Sequence, residues 1–282
     1  MSITSPVIRY HGGKFRLASW ILQHFPEHRV YVEPFGGAAG VLVQKPQSFA
    51  EVYNDLDGDI VNLFRVLQNA TQREQLTQLL VLTPYARSEF ELAFNETGDP
   101  IEQARRTIIR AEMGFGSAGA TKGRTGFRID TKREYATAQH IWARFPDRIA
   151  AIGQRLSGVL IEQRPAIEVM AAHDTPDTLH FVDPPYMHGT RTIGSNRYYR
   201  HELTDDDHQQ LLATLKTLQG MVVLSGYPSS EYDTALMGWS LNSKTAACAA
   251  GRGAASRHEC VWLNPACMDR LGQRGLALEA TA

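Results

Sequence analysis

Residues 31–43 read YVEPFGGAAGVLV: a short β-prone start, a turn carrying Gly36, Gly37 and Gly40, and an apolar stretch that ends before Pro46. That succession predicts a strand, a tight turn and a helix. Residues 50–68, AEVYNDLDGDIVNLFRVLQ, repeat the theme, with a strand to Tyr53, an acidic turn, and then Ile60, Leu63, Phe64 and Leu67 on one helical face. Two such units in tandem predict a parallel α/β sheet. Just upstream, Phe15, Leu17, Ala18, Ile21, Leu22 and Phe25 fall at helical intervals and Pro26 closes a short amphipathic helix.

Downstream, the rhythm stops near Thr83. Residues 84–156 hold helical segments around a polar, Gly-rich stretch, MGFGSAGATKGRTGFR. The alternation then resumes with GVLIEQ, a helix from Ala166, the strand LHFVDPPY, a helix from Asp205 to Leu218, the strand MVVLSGY, a helix from Glu231 to Met237 and a late strand HECVWLN. The pattern therefore predicts one mostly parallel sheet with helices on both faces, made of residues 1–83 and 157–269. A mainly helical region, 84–156, interrupts it, and 270–282 reads as a frayed C-terminal tail.

With 282 residues, of which 43% are hydrophobic and 21% charged, the chain is neither a disulfide-stapled miniprotein nor disordered. Lys and Arg total 29 against 30 acids, so any nucleic-acid partner must be met by a local patch. Cys248, Cys260 and Cys267 lack CxxC spacing, and the histidines His11, His201, His208 and His258 lack metal spacing, so the reading is reduced thiols and no metal. No apolar leader or membrane-length run is visible, which gives a soluble, cytoplasmic expectation with no membrane partner. Thr204 followed by Asp205, Asp206 and Asp207 reads as a capped helix start.

Two constellations carry chemistry. The Gly-rich turn between a strand end and a helix leaves room for a ligand at the edge where open α/β sheets bind cofactors, and Asp55, at the tip of the next strand, is placed to accept both hydroxyls of a ribose. The second is FVDPPY, Phe181 to Tyr186. Two prolines hold the backbone rigid, and an aspartate before them and a tyrosine after them group a carboxylate, a carbonyl and a ring face in one arc. Such a set suits an exocyclic amine on a flat ring: Asp183 and the Pro184 carbonyl take its two protons while Tyr186 stacks.

The ordered set RYHGGK (Arg9 to Lys14), VEPFGGAAG (Val32 to Gly40), YNDLDGD (Tyr53 to Asp59) and FVDPPY resembles the Dam-like, D12 class of DNA adenine-N6 methyltransferases. VVLSGY and ECVWLNP resemble further elements of the family with lower specificity. The resemblance implies a Rossmann-like S-adenosylmethionine-dependent methyltransferase fold, with residues 84–156 as an inserted DNA target-recognition domain. It implies cofactor contacts from Tyr10, Lys14, Glu33, Phe35, Gly37, Asp55 and Asp183, catalysis by Asp183, Pro184, Pro185 and Tyr186, and no metal. The family's loop commonly reads FxGxG; here Ala39 stands at the second glycine, a place an alanine fits where the backbone is helical with φ below zero.

The implied reaction is methyl transfer from S-adenosylmethionine to the N6 amine of an adenine extruded from double-stranded DNA. Between Arg105 and Arg133 eight bases face two acids, a local basic patch. Lys122, Arg124, Arg128 and Lys132 are the candidate DNA contacts there, and Arg197, in SNRYYRH after the catalytic turn, belongs to a segment placed to touch the displaced strand. Cytosine N4, a base in RNA, or a DNA-binding module without transfer activity stand as alternatives.

Overall fold

A computed structural model describes residues 3–121, 123–129, 137–187, 199–250 and 253–279. Its strands are β1 (Val30–Glu33), β2 (Ala50–Asn54), β3 (Val159–Glu162), β4 (Thr178–Val182), β5 (Met221–Gly226), β6 (Ser240–Ala250) and β7 (Gly253–Leu263). Among the described residues they form one seven-stranded sheet in the order β3-β2-β1-β4-β5-β7-β6. The first five run parallel, and β7 pairs antiparallel with both β5 and β6. The chain winds outward from β1 to β3, then returns to β4 on the other side of β1, so the carboxyl ends of β1 and β4 diverge into a crevice. That is the topological switch point where doubly wound sheets bind ligands.

The helices are α1 (Ala18–Ile21), α2 (Gly58–Gln68), α3 (Ala70–Leu82), α4 (Arg87–Leu92), α5 (Pro100–Met113), α6 (Ala138–Ala143), α7 (Ile149–Arg155), α8 (Ala166–Ala172), α9 (Asp205–Leu215), α10 (Ser230–Ala235) and α11 (Pro265–Glu279). Period-two alternation divides the sheet's side chains between two faces. On β5, Met221 and Val223 enter one core with α1, α2, α5 and α7, while Val222 and Leu224 enter the other with α9 and α10. On β7, Val261 and Leu263 join the first, Cys260 and Trp262 the second. Ala104, Ile108 and Ile109 of α5, with Trp142 and Ile152, belong to the same cluster as Tyr31 and Phe181, so the inserted helices are built onto one face of the sheet.

Three expectations require correction. The apolar stretch after the Gly-rich turn is a chain of tight turns rather than a helix. Leu42 N–H donates to Glu33 at 3.1 Å, and Ala39 has φ 51, outside the helical region and opposite in sign to the expectation. The supposed tail from residue 270 is instead most of α11: Leu271 packs on the core, and Arg270 pairs with Asp177 at 2.8 Å. The sequence also left β6 unread; it pairs with β7 from Ser240 opposite Leu263 to Ala250 opposite Gly253. The cap on α9 is as expected, with Thr204 and Asp207 forming a reciprocal capping box. Among the described residues, no helix is long and apolar enough to cross a membrane.

Candidate active site

The cofactor turn is built from side chains behind it. Glu33, the last residue of β1, accepts from Tyr31 Oη at 2.9 Å and from Leu42 N at 3.1 Å, and burial pushes its carboxyl up to about 8. Gly36 lies against the Tyr53 ring and Gly37, with φ 47, lies under Tyr10, so a Cβ at either position collides with an aromatic ring. Tyr53 Oη donates to Gly37 O at 2.6 Å and fixes the turn from below.

Asp55 follows β2. Its Oδ2 accepts from Gly37 N and its Oδ1 from Asp57 N, both at 2.8 Å. Each carboxylate oxygen thus keeps one acceptor site, the capacity two ribose hydroxyls require. Burial raises its carboxyl to about 6 against the pull of those two backbone donors. Phe35 is half-buried against the second core.

At the other lip, Asp183 leaves β4 beside this turn. Lys14 Nζ lies 2.9 Å from its Oδ1, 3.0 Å from Gly12 O and 4.7 Å from the centre of the Tyr186 ring. Burial pushes the Asp183 carboxyl up and the Lys14 ammonium opposes it; the ammonium is itself held above its ordinary value, against burial, by Asp183 and Glu259. Pro184 is buried, and Pro185 and Tyr186 are half-buried. Sequence reading named Tyr10, Lys14, Glu33, Phe35, Gly37, Asp55 and Asp183 to Tyr186 from four separate motifs, and the fold brings them together at the carboxyl ends of β1, β2 and β4, with Glu33 buried behind the cofactor turn and bonded to Tyr31 and Leu42.

Sequence reading missed the residues behind Tyr186. Its hydroxyl is 3.0 Å from Glu259 Oε2 and 3.3 Å from Ser225 Oγ, and its ring meets Tyr227 edge to face at 4.4 Å. Tyr227 Oη donates to Glu259 Oε1 at 3.3 Å. The available signal was a carboxylate on β7 two positions before the buried Val261, hence on the face of the strand that Val261 and Leu263 bury.

The post-catalytic segment enters the description at Tyr199. Tyr199 Oη donates to His11 O at 3.2 Å, and Arg200 reaches Asp57 at 2.8 Å and Asp59 at 2.6 Å, so this end of the segment engages the cofactor side. Asp59 also accepts from Gln103 at 2.7 Å and Arg110 at 2.6 Å. Arg9 is the complementary tie: its N donates to Glu112 at 2.9 Å and its guanidinium to the carbonyls of Gly114 and Gly116.

The basic patch is smaller than the count of charges implies. Arg105 pairs with Glu102 and Glu89, Arg106 with Glu102, and Arg110 with Asp59. Arg124 is exposed and lies over the Phe94 ring at 5.2 Å, whereas Arg128 is only 9% exposed. Lys122, Lys132 and Arg197 lie outside the described residues.

The sequence profile of the family described as D12 class N6 adenine-specific DNA methyltransferase matches residues 10–237, which include every element of this crevice except Arg9 and Glu259. The chain belongs to that family. It is an adenine-N6 DNA methyltransferase, and the family's specificity does not favour the cytosine, RNA or non-enzymatic alternatives. The chain is 24% identical to a DNA adenine methylase of Vibrio cholerae over 72% of its own length and 73% of the relative's. It is 21% identical to the DNA adenine methylase of Escherichia coli K12 at the same coverage, and 24% identical to that of Salmonella typhi over 81% of both chains. A solved putative methyltransferase, yhhF from Escherichia coli, aligns over 94% of this chain and 98% of its own at 11% identity and a TM-score of 0.37. That likeness is too loose to carry an argument; the strand order carries the fold.

Proposed function

We propose that the methyl donor is S-adenosylmethionine, held in the crevice between β1 and β4, and that the acceptor is the N6 amine of an adenine extruded from double-stranded DNA. The observation that carries this reading is the carboxylate of Asp183 at the switch point, ion-paired to Lys14, one strand away from the Gly36–Gly37 turn and two from Asp55, which binds that turn through Gly37 N. The residues fit the donor: each Asp55 oxygen retains acceptor capacity for one hydroxyl of a ribose, and Gly36 and Gly37 form a turn with no side chain of its own beside it. When bound, the donor supplies an electrophilic methyl group on a sulfonium.

The remaining work belongs to the chain. Adenine N6 has its lone pair delocalised into the ring and is a weak nucleophile. An Asp183 oxygen and the Pro184 carbonyl, taking one amine proton each, favour a pyramidal nitrogen whose lone pair is aimed at the methyl. The surplus proton leaves N6 along its hydrogen bond to Asp183. Tyr186 stacks on the extruded ring and recovers part of the few kcal/mol that unstacking costs. Lys14 keeps Asp183 ionised for this task.

We assign target recognition to the inserted region, residues 84–156, with the catalytic domain formed by 1–83 and the chain from 157 onward. Of the candidate DNA contacts among the described residues, Arg124 is the exposed one. The test is to incubate the protein with S-adenosylmethionine and unmethylated genomic DNA, digest to nucleosides and quantify methylated bases by mass spectrometry. N6-methyladenine is expected from the wild type and none from Asp183→Ala; equal yields from both overturn the mechanism.

A further inference from the structure

Glu259 stands outside the stretch matched by the family and has no part in the reading above, yet it touches two aromatic side chains at the crevice. It lies on β7, 8% exposed, directly before the buried run Cys260 to Leu263. The β5–β7 register explains how it comes there. Gly226 pairs with Cys260, and one further step along the antiparallel ladder brings Tyr227 opposite Glu259. Each Glu259 oxygen then receives a different phenol: Oε2 takes Tyr186 at 3.0 Å and Oε1 takes Tyr227 at 3.3 Å. Both phenols donate to one carboxylate, whose two oxygens can accept them at the same time.

The geometry of a tyrosine gives this arrangement its consequence. The hydroxyl lies on the axis of the ring, so anchoring it fixes where the ring points but leaves the ring free to roll about that axis. Among the described residues, two ring neighbours bear on the roll of Tyr186: the Tyr227 ring at 4.4 Å, turned by 65°, and the Lys14 ammonium at 4.7 Å. Tyr227 can serve as a fixed wall only if its own axis is anchored, and the same carboxylate anchors it. One side chain thus sets the aim of one ring directly and its roll through the other. Ser225 Oγ, at 3.3 Å from the Tyr186 hydroxyl, supplies a weaker second anchor.

We infer that Glu259 is a positioning residue for the target base: it holds Tyr186 and Tyr227 in the mutual orientation that presents the Tyr186 face to the extruded adenine, so that N6 meets Asp183. The inference rests on the proposed stacking role of Tyr186. It requires that Glu259 act through the geometry of its two hydrogen bonds rather than through its charge near Asp183.

The variants Glu259→Ala, Glu259→Gln and Tyr227→Phe separate these roles. Glutamine keeps the shape and hydrogen-bonds both phenols, accepting through its oxygen and donating through its amide, but carries no charge. The expectation for Glu259→Ala is a loss of kcat of about 10-fold to 100-fold, the scale of a misplaced reacting group, with cofactor Kd within about twofold of wild type. Glu259→Gln is expected to recover most of the rate, and Tyr227→Phe to fall between. Wild-type kcat in Glu259→Ala overturns the inference; so does Glu259→Gln as slow as Glu259→Ala, which assigns the effect to charge. If Glu259→Ala fails to fold, Glu259→Gln and Tyr227→Phe decide: a Tyr227→Phe enzyme turning over at the wild-type rate also overturns it. Asp183→Ala, run in parallel, keeps the two levels apart. Activity in that variant sinks the proposed mechanism, whereas an inactive Asp183→Ala beside a fully active Glu259→Ala sinks only the role of Glu259.

Discussion

The ammonium of Lys14, delivered by the amino-terminal segment, spans 2.9 Å to Asp183 Oδ1 at the end of a strand that follows more than 160 residues later in the chain. A carboxylate desolvated in this crevice drifts towards its neutral form, and a neutral acid is a poor acceptor for an amine proton. Replacing Lys14 by methionine removes the opposing charge, so the Asp183 carboxyl rises further and the acidic limb of the kcat profile moves to higher pH. Activity at pH 7 is expected to fall and to recover partly by pH 9, whereas Lys14→Arg keeps the wild-type limb. A pH–rate series on the three proteins checks this.

Asp55 titrates at about 6, and only its ionised form accepts two ribose hydroxyls in addition to its two backbone donors. Cofactor affinity is therefore expected to be constant above about pH 7 and to weaken as pH falls through about 6. Asp55→Asn should bind weakly at every pH and lose the dependence. Isothermal titration with S-adenosylmethionine between pH 5 and 8 measures both.

Ala39 is a fully buried residue held at φ 51. A glycine there relieves roughly 1–2 kcal/mol of left-handed strain. It gives back about 0.8 kcal/mol of buried methyl and up to about 1 kcal/mol of backbone entropy. Ala39→Gly should thus unfold in urea within about 1 kcal/mol of wild type. Ala39→Val, which adds β-branching to the same backbone strain, should lose more than about 2 kcal/mol.

Asp59 joins α2, α5 and Arg200 by accepting from Gln103, Arg110 and Arg200, and against the effect of burial those donors hold its carboxyl below the usual range. Its loss leaves the mostly buried guanidinium of Arg110 without its close partner. Asp59→Ala is expected to cost about 2–3 kcal/mol, somewhat less than a fully buried pair because the site is partly exposed. Arg200→Ala, at a more exposed position, should cost under about 1 kcal/mol. Urea denaturation of both variants tests the contrast.

Much of the sheet is legible because its signals are local. Apolar runs bounded by turn residues mark β1, β2, β4 and β5, and the two motifs with chemistry lie where two of those runs end. What escapes has non-local causes. The turns after Gly37 follow from a carboxylate on β1 capturing Leu42 N, which no helical periodicity discloses. Strand β6, SLNSKTAACAA, is small and polar and is extended because β7 pairs with it. The helix past residue 270 hides behind Gly272 and Gly275, two residues of poor helix propensity. Arg105, Arg106 and Arg110 count as DNA-binding charge in one dimension; Glu102, one turn before the first two on the same helix, was readable from its spacing, but only the packing of α5 against α4 and α2 brings Glu89 to Arg105 and Asp59 to Arg110. Glu259 is the instructive omission, since its parity on β7 was readable but its phenol partners were not.

The helices from α2 to α7 all lie within a single crossover, the one that joins β2 to β3 at the rim of the sheet. Gly114 and Phe127 form an isolated antiparallel bridge, and Ala120 and Thr121 between them are buried, so this part of the crossover is anchored on the core and not on the strand ladder. Modularity is the consequence: the detour leaves and rejoins the sheet at its rim, so exposed positions within it, such as Phe115 and Arg124, can be exchanged while the strand tips that bear Glu33, Asp55 and Asp183 keep their neighbours.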